Sequence, residues 1–183
     1  MDEHALPDDF VQALLSLREA PRHPKVVFAE APGPSRLAPY TAAIVMRTLD
    51  EEFDEPLATG RLVILYDPDG SPAWNGTLRL VAQFRSHIDP EMSADPLLAE
   101  ALWAWTDECL TEAGADYHDL SGTVTREISE SYGGLVLRGS TMNVEMRASW
   151  TAASCALGEH LNAWTDVMLR TCGVSSQRFL EGV

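Results

Sequence analysis

The sequence predicts an α+β fold in which a single antiparallel sheet of about five or six strands carries three helices on one face. Three observations predict it. Several segments alternate apolar and polar residues, as strands covered on one side do. Other segments repeat apolar residues with the period of a helix. A unit of two strands and one helix also occurs twice, over residues 57–114 and 119–173.

The internal repeat is clearest in its two helices. Leu98–Leu110 and Leu157–Leu169 share eight of thirteen residues when the chain is shifted by 59 positions. Each copy has an apolar stripe at helical spacing that includes a tryptophan, Trp105 in the first and Trp164 in the second. We therefore expect the two tryptophans to be buried at equivalent places against one sheet.

The other elements follow in chain order. Pro7, Asp8 and Asp9 supply the start and the acidic first turn of a helix over residues 7–20. Prolines then surround one short apolar run, Lys25–Ala29, which predicts an edge strand and an extended connector. The five remaining strands are predicted from their apolar runs and alternation at Tyr40–Leu49, Leu57–Tyr66, Gly76–Ile88, Leu120–Ser129 and Thr141–Trp150.

Local signals mark the ends of the repeated helices. Asp95 and Pro96 give the favoured order of capping residue and proline before the first copy. Gly114 and Gly173 follow the two copies, as expected at helix C-termini. The tail, 174–183, is expected to be loose.

Length and composition fit one domain over residues 1–183. The 28 acidic and 13 basic residues give a formal charge of −15, which repels a phosphate backbone, so we expect no nucleic-acid partner. No apolar run reaches the roughly 18 residues of a membrane span, and no targeting leader is present, so we expect no membrane partner.

The three cysteines, an odd number, favour a reduced compartment, and we expect a cytoplasmic protein. The acidic segment Asp50–Glu55 is expected to be a solvated loop.

No catalytic or metal-binding motif is present. The sequence has no nucleophile elbow, phosphate loop or dinucleotide fingerprint. None of its five histidines lies three or four residues from another, as a helical metal pair requires. We therefore assign no catalytic residue, no metal and no cofactor.

Arginines concentrate on the sheet face away from the helices. In the strand at 76–88, even-numbered positions are mostly apolar and odd-numbered positions mostly polar. The same alternation in the other strands predicts a binding surface that contains Arg61, Arg79, Arg85 and Arg147. Arginine can bind a carboxylate through two hydrogen bonds at once. The alternative is that these arginines only pair with Glu127 and Glu145 across the strands.

Six strings of residues occur in one order along nearly the whole chain. They are Arg36–Tyr40, Ala58–Val63, Trp74 with Gly76 ahead of Arg79–Val81, Asp95–Leu98, Gly122–Arg126 and Glu145–Thr151. Together they resemble the actinobacterial domain-of-unknown-function family numbered three thousand. The resemblance implies a stand-alone bacterial cytoplasmic protein. It implies no activity, cofactor or catalytic residue.

Two functional hypotheses remain. The order of elements is similar to that of secretion-chaperone-like modules, which are acidic and often dimerise. The first hypothesis is a non-enzymatic binding, adaptor or chaperone-like module that presents the arginine-bearing face to a protein partner or to a second copy of itself. The alternative is an enzyme or a small anionic-ligand binder with a site on that face or at the junction of the repeats. A broad, flat face favours the first, and a cleft lined by Arg with Ser or Thr favours the second.

Overall fold

The computed structural model describes residues 5–52, 54–134 and 141–174. Most of the tail that we expect to be loose, from residue 175 onward, lies outside the described residues. The elements are α1 (Asp8–Glu19), β1 (Val26–Ala31), β2 (Tyr40–Thr48), β3 (Glu51–Glu52), β4 (Glu55–Pro56), β5 (Ala58–Ser71), β6 (Gly76–His87), α2 (Pro90–Ser93), α3 (Leu98–Glu112), β7 (Tyr117–Ser129), β8 (Thr141–Ala152) and α4 (Gly158–Cys172).

Six strands form one sheet in the order β1-β2-β5-β6-β8-β7. Every neighbouring pair in it is antiparallel. The predicted α+β class and the antiparallel sheet of about five or six strands are therefore confirmed. The segment Asp50–Glu55 is not a simple loop, because β3 and β4 pair as a separate two-stranded sheet. The side chains of Glu51 and Glu52 are exposed, as predicted for this acidic segment.

The main core lies between the helices and one face of the sheet. In β6, the side chains of Leu78, Leu80, Ala82 and Phe84 are at most 3% exposed. They belong to one apolar cluster with side chains of α1, α3 and α4. Since successive side chains of a strand point to opposite faces, the odd-numbered side chains of β6 lie on the face away from these helices. We call this second side of the sheet the open face.

The described residues contain four helices, so the prediction of three is wrong. The additional helix, α2, begins with Pro90, and the Asp89 side chain accepts a hydrogen bond of 2.8 Å from the backbone N–H of Glu91. This Asp-Pro start was not predicted, and the predicted cap of α3 by Asp95 is wrong, because the N-cap position is Leu97. Asp95 accepts from the backbone N–H of Leu97 at 2.9 Å and orders the turn before α3, which itself has no side-chain cap.

The two glycines predicted to end the long helices do so. Gly114 and Gly173 have φ values of 73° and 79°, in the left-handed region that favours glycine. The backbone N–H of the residue after each glycine donates back to a carbonyl of the last turn at 3.0 Å. No helix in the described ranges is long and apolar enough to cross a membrane.

The long helices differ in how deeply their tryptophans are buried. Trp164 is 1% exposed, whereas Trp105 is only partly buried. The threonine after each tryptophan is buried in both helices, and Thr106 and Thr165 each donate to the carbonyl four residues earlier, at 3.0 and 2.8 Å. The two tryptophans differ in burial because their helices lie over different parts of the sheet. Helix α4 packs over the central strands β5 and β6 and against α1, while α3 packs over the edge strand β7. The prediction of equal burial is therefore wrong for Trp105.

Candidate functional site

Two adjacent rows of side chains cross the open face. Each row joins residues that the strand register places side by side on β2, β5, β6 and β8. The first row is Arg47, Thr59, Arg85 and Glu145, and the second is Val45, Arg61, Gln83 and Arg147. Three of the four predicted arginines, Arg61, Arg85 and Arg147, therefore lie in neighbouring rows. Arg79 lies two rows beyond the second one.

Arg79 is part of a buried network. Its side chain is 9% exposed. Its Nη1 donates to the carbonyl oxygen of Asp119 at 2.9 Å and to Oγ1 of Thr151 at 3.0 Å, and its Nη2 donates to Oγ of Ser149 at 2.8 Å. Burial lowers the pKa of the guanidinium, although the nearby Asp119 carboxylate opposes that shift. Arg79 therefore joins β6 to β7 and β8 and stands apart from the other predicted arginines.

Arg85 forms an ion pair on the open face. Its Nη1 lies 2.6 Å from Oε2 of Glu127, and both side chains are substantially exposed. This hydrogen bond raises the pKa of Arg85 and lowers the pKa of Glu127. The pair spans from β6 to β7 across β8, which is the cross-strand arrangement that we retained as the alternative to a binding role.

The remaining arginines of the two rows are accessible. Arg147 is paired within its own strand, with Nε 2.7 Å from Oε1 of Glu145, but its side chain is 73% exposed. Arg47 and Arg61 are exposed, and neither side chain forms an ion pair or hydrogen bond with a described residue. We call Arg47, Arg61 and Arg147 the arginine patch.

One end of the open face is covered by the chain itself. Ala43, Val63 and Leu65 form a small second core, against which Ala38 of the proline-rich connector and Trp74 of the β5–β6 turn pack. This cover lies toward the end of the face that holds Arg79. The arginine patch lies beyond it and stays open.

A cleft of about 770 Å³ lies at the opposite end, beside the β3–β4 hairpin. We call it the hairpin cleft. Arg85, His87, Asn143 and Thr59 come from the sheet, while Asp54–Leu57, Ser129, Ser131 and Thr141 complete the lining. Nε2 of His87 lies 3.5 Å from Oε2 of Glu55. The combination of Arg with Ser and Thr is the feature that favours a small-ligand site.

Sequence reasoning placed several cleft residues on one face but did not find the cleft. Alternation alone puts Thr59, Arg85 and His87 on the same side of the sheet. The wall contributed by Asp54 and Glu55 depends on where the hairpin folds over the sheet, and no periodic pattern specifies that. Among the described residues, no group of three or more His, Cys, Asp or Glu side chains is placed to hold a metal ion.

Comparison with protein families identifies a match over nearly the whole chain. The model of a family described as "Protein of unknown function (DUF3000)" matches residues 6–180. This finding confirms the resemblance inferred from the six strings. No curated protein and no solved structure matches the chain.

Proposed function

The chain belongs to the DUF3000 family of proteins of unknown function, and from the geometry of its open face we propose that it is a non-enzymatic binding module, adaptor-like or chaperone-like, for an acidic protein segment. The observation that carries the proposal is the pair Arg47 and Arg61. Both are exposed on adjacent central strands, and neither is neutralised by a described acidic side chain. Unpaired arginines on an uncovered sheet face are available to a partner.

Charge supports an acidic partner. The chain has a formal charge of −15, so a carboxylate-bearing segment is repelled by most of the surface and attracted to the arginine patch. Arg147 can join in the binding, because exchanging one exposed carboxylate, Glu145, for another costs little when such pairs contribute about 0 to 1 kcal/mol. Bidentate pairing of each guanidinium then adds geometric selectivity.

Shape supports an extended segment. Arg61 and Arg147 lie on strands that are two apart in the sheet, with Gln83 between them. Two strand spacings are roughly 10 Å, a distance that about three residues of extended chain span. A short segment that crosses the strands and carries several carboxylates therefore meets both guanidinium groups.

The test uses a fluorescent oligoglutamate peptide as the probe. We expect saturable binding that weakens with salt, and about tenfold or greater loss of affinity in the double variant Arg61→Glu with Arg147→Glu. The matched control is Arg18→Glu with Arg22→Glu, which makes the same change in net charge near the C-terminal end of α1. Equal loss in both variants, or no binding by the wild-type protein, would overturn the proposal. Sedimentation velocity on the same proteins tests whether the patch instead joins two copies of the chain.

We also infer that residues 57–114 and 119–173 are related copies of one strand-strand-helix unit. A shift of 62 residues places Phe84 on Met146, and these two residues face each other across β6 and β8. These equivalent residues of the two copies therefore pair with each other in the antiparallel β6–β8 ladder. Such pairing supports two copies related by a local two-fold axis.

The proposed place of action is the cytoplasm, which the odd number of cysteines supports.

A further inference from the structure

The hairpin cleft contains a side-chain amide that has no hydrogen-bond partner among the described residues. Asn143 is 6% exposed and lines the cleft. Its side-chain amide makes no hydrogen bond with a described residue. An asparagine amide offers both an acceptor oxygen and two N–H donors. The amide is therefore available to a molecule that enters the cleft.

Basic side chains lie directly beside this amide. The strand register places His87 next to Asn143, and Arg85 lies one row away on the same face. Only Nη1 of Arg85 is engaged by Glu127, and a guanidinium has further N–H donors. The floor of the cleft therefore provides several hydrogen-bond donors for a carboxylate.

Negative groups also line the cleft, and one of them, Glu55, lies beside His87. Asp54 and Glu55 come from the turn and second strand of the β3–β4 hairpin. Glu127 already forms an ion pair with Nη1 of Arg85. Among the described side chains at the cleft, the carboxylates of Asp54, Glu55 and Glu127 outnumber the one arginine, which disfavours a ligand that carries only negative charge. A ligand that also carries a positive group satisfies Asp54 and Glu55.

The lining also limits the class of ligand. The described residues that line the cleft include no Phe, Tyr or Trp, so none of them offers an aromatic ring on which a nucleobase or a sugar ring would stack. The volume of about 770 Å³ lies within the range of small-molecule sites. A small, strongly polar molecule fits these conditions.

We propose that the hairpin cleft binds a small zwitterion of the amino-acid class. Its carboxylate accepts hydrogen bonds from Asn143, His87 and Arg85, and its ammonium group faces Glu55 and Asp54. The site is independent of the arginine patch, because Arg47, Arg61 and Arg147 do not line the cleft.

The test is calorimetric titration with each of the standard L-amino acids at millimolar concentration. We expect at least one to bind. Its analogue without the amine and its analogue without the carboxylate should each bind about tenfold more weakly or worse, since each leaves one charged wall without a partner. If no amino acid binds, or if the analogue without the amine binds equally well, the proposal is overturned.

Variants then locate the binding. Asn143→Leu should weaken the best amino acid about tenfold or more. Gln83→Leu, which removes an amide from the open face outside the cleft, should leave the affinity unchanged. Should Asn143→Leu fail to fold, Glu55→Gln serves instead, because its side chain is exposed. It should weaken the amino acid and spare the analogue without the amine, and wild-type affinity in these cleft variants would overturn the proposal.

The two proposals fail separately. Arg61→Glu with Arg147→Glu should abolish oligoglutamate binding and leave amino-acid binding intact. Loss of amino-acid binding in that double variant, with the cleft variants unaffected, would place the ligand on the arginine patch and overturn the assignment to the cleft.

Discussion

The indole Nε1 of Trp150 donates a hydrogen bond of 2.9 Å to Nδ1 of His160, and both side chains are fully buried. Because an indole N–H can only donate, Nδ1 carries no proton, and the proton of the neutral imidazole lies on Nε2. That nitrogen has no hydrogen-bond partner among the described residues. Burial lowers the pKa of His160 to about 4, so the ring is neutral in the folded protein at neutral pH.

His160 should make the folded state sensitive to mild acid. The unfolded chain binds a proton at its ordinary pKa near 6.5, while the folded protein resists protonation down to about 4. Between these values the unfolded state holds more protons, so the free energy of unfolding falls as pH falls. We expect His160 to account for a loss of about 2 kcal/mol between pH 7 and pH 5.

Urea denaturation at the two pH values measures this loss. The control is His160→Gln, which keeps a polar side chain beside Trp150 and does not titrate. It should show a pH dependence smaller by the same amount, because the other titrating groups are unchanged. Identical pH dependence in the variant and the wild type would contradict the assignment of the effect to His160.

Trp164 and Trp105 should differ strongly in their contribution to stability. Trp164 packs against Phe84 and Trp150, with ring centroids 5.2 and 5.9 Å apart. Trp105 is partly exposed, and the guanidinium carbon of Arg170 lies 5.8 Å from its ring centroid. We expect Trp164→Ala to cost about 3 to 5 kcal/mol and Trp105→Ala about 1 kcal/mol.

Thermal unfolding of the two variants gives the comparison. Iodide quenching supplies an independent check, because replacing Trp105 by Phe should remove more of the quenchable emission than replacing Trp164 by Phe. Equal loss of stability in the two alanine variants would show that α3 and α4 bury their tryptophans alike.

The fold was largely predictable because its main signals are local. The alternation of Leu78, Leu80, Ala82 and Phe84 with polar neighbours specifies a strand with one covered face. A glycine that ends a helix likewise depends only on the adjacent turn, as Gly173 does. These features need no knowledge of distant parts of the chain.

The candidate site was less predictable because it depends on distant contacts. Alternation correctly placed Arg79 on the open face, but it could not show the contacts there, which include a hydrogen bond to the carbonyl of Asp119, forty residues along the chain. The hairpin cleft depends in the same way on where Glu55 folds over the sheet beside His87. Periodicity tells which face a side chain occupies, and it does not tell what folds over that face.

Ser16 of α1 should stabilise the start of α4. Its hydroxyl oxygen accepts a hydrogen bond of 3.0 Å from the backbone N–H of Gly158, the first residue of α4. The residue that precedes α4, Leu157, supplies no side-chain cap. A capping bond typically contributes about 1 kcal/mol, so we expect Ser16→Ala to lower the free energy of unfolding by about that amount.

Chemical denaturation checks this value against a matched change. Ser93→Ala also removes a serine hydroxyl, but that hydroxyl is exposed and donates within the short helix α2. We expect its effect to be below about 0.5 kcal/mol. If Ser16→Ala costs no more than Ser93→Ala, the contact between α1 and α4 does not depend on this bond.

Arg79 and Arg85 should contribute very differently to stability, although both extend from β6 on the same face of the sheet. Arg79→Met leaves the carbonyl of Asp119 and the hydroxyls of Ser149 and Thr151 without their buried donor, and we expect a cost of about 2 to 4 kcal/mol. Arg85→Met removes an exposed ion pair with Glu127, which should cost about 0 to 1 kcal/mol. The melting temperatures of the two variants provide the measurement.

Arg79→Met should also leave oligoglutamate binding unchanged in the folded fraction. The reason is that the guanidinium of Arg79 already donates hydrogen bonds to residues of the neighbouring strands. Equal stability of the two variants together with lost peptide binding in Arg79→Met would place Arg79 at the binding surface instead.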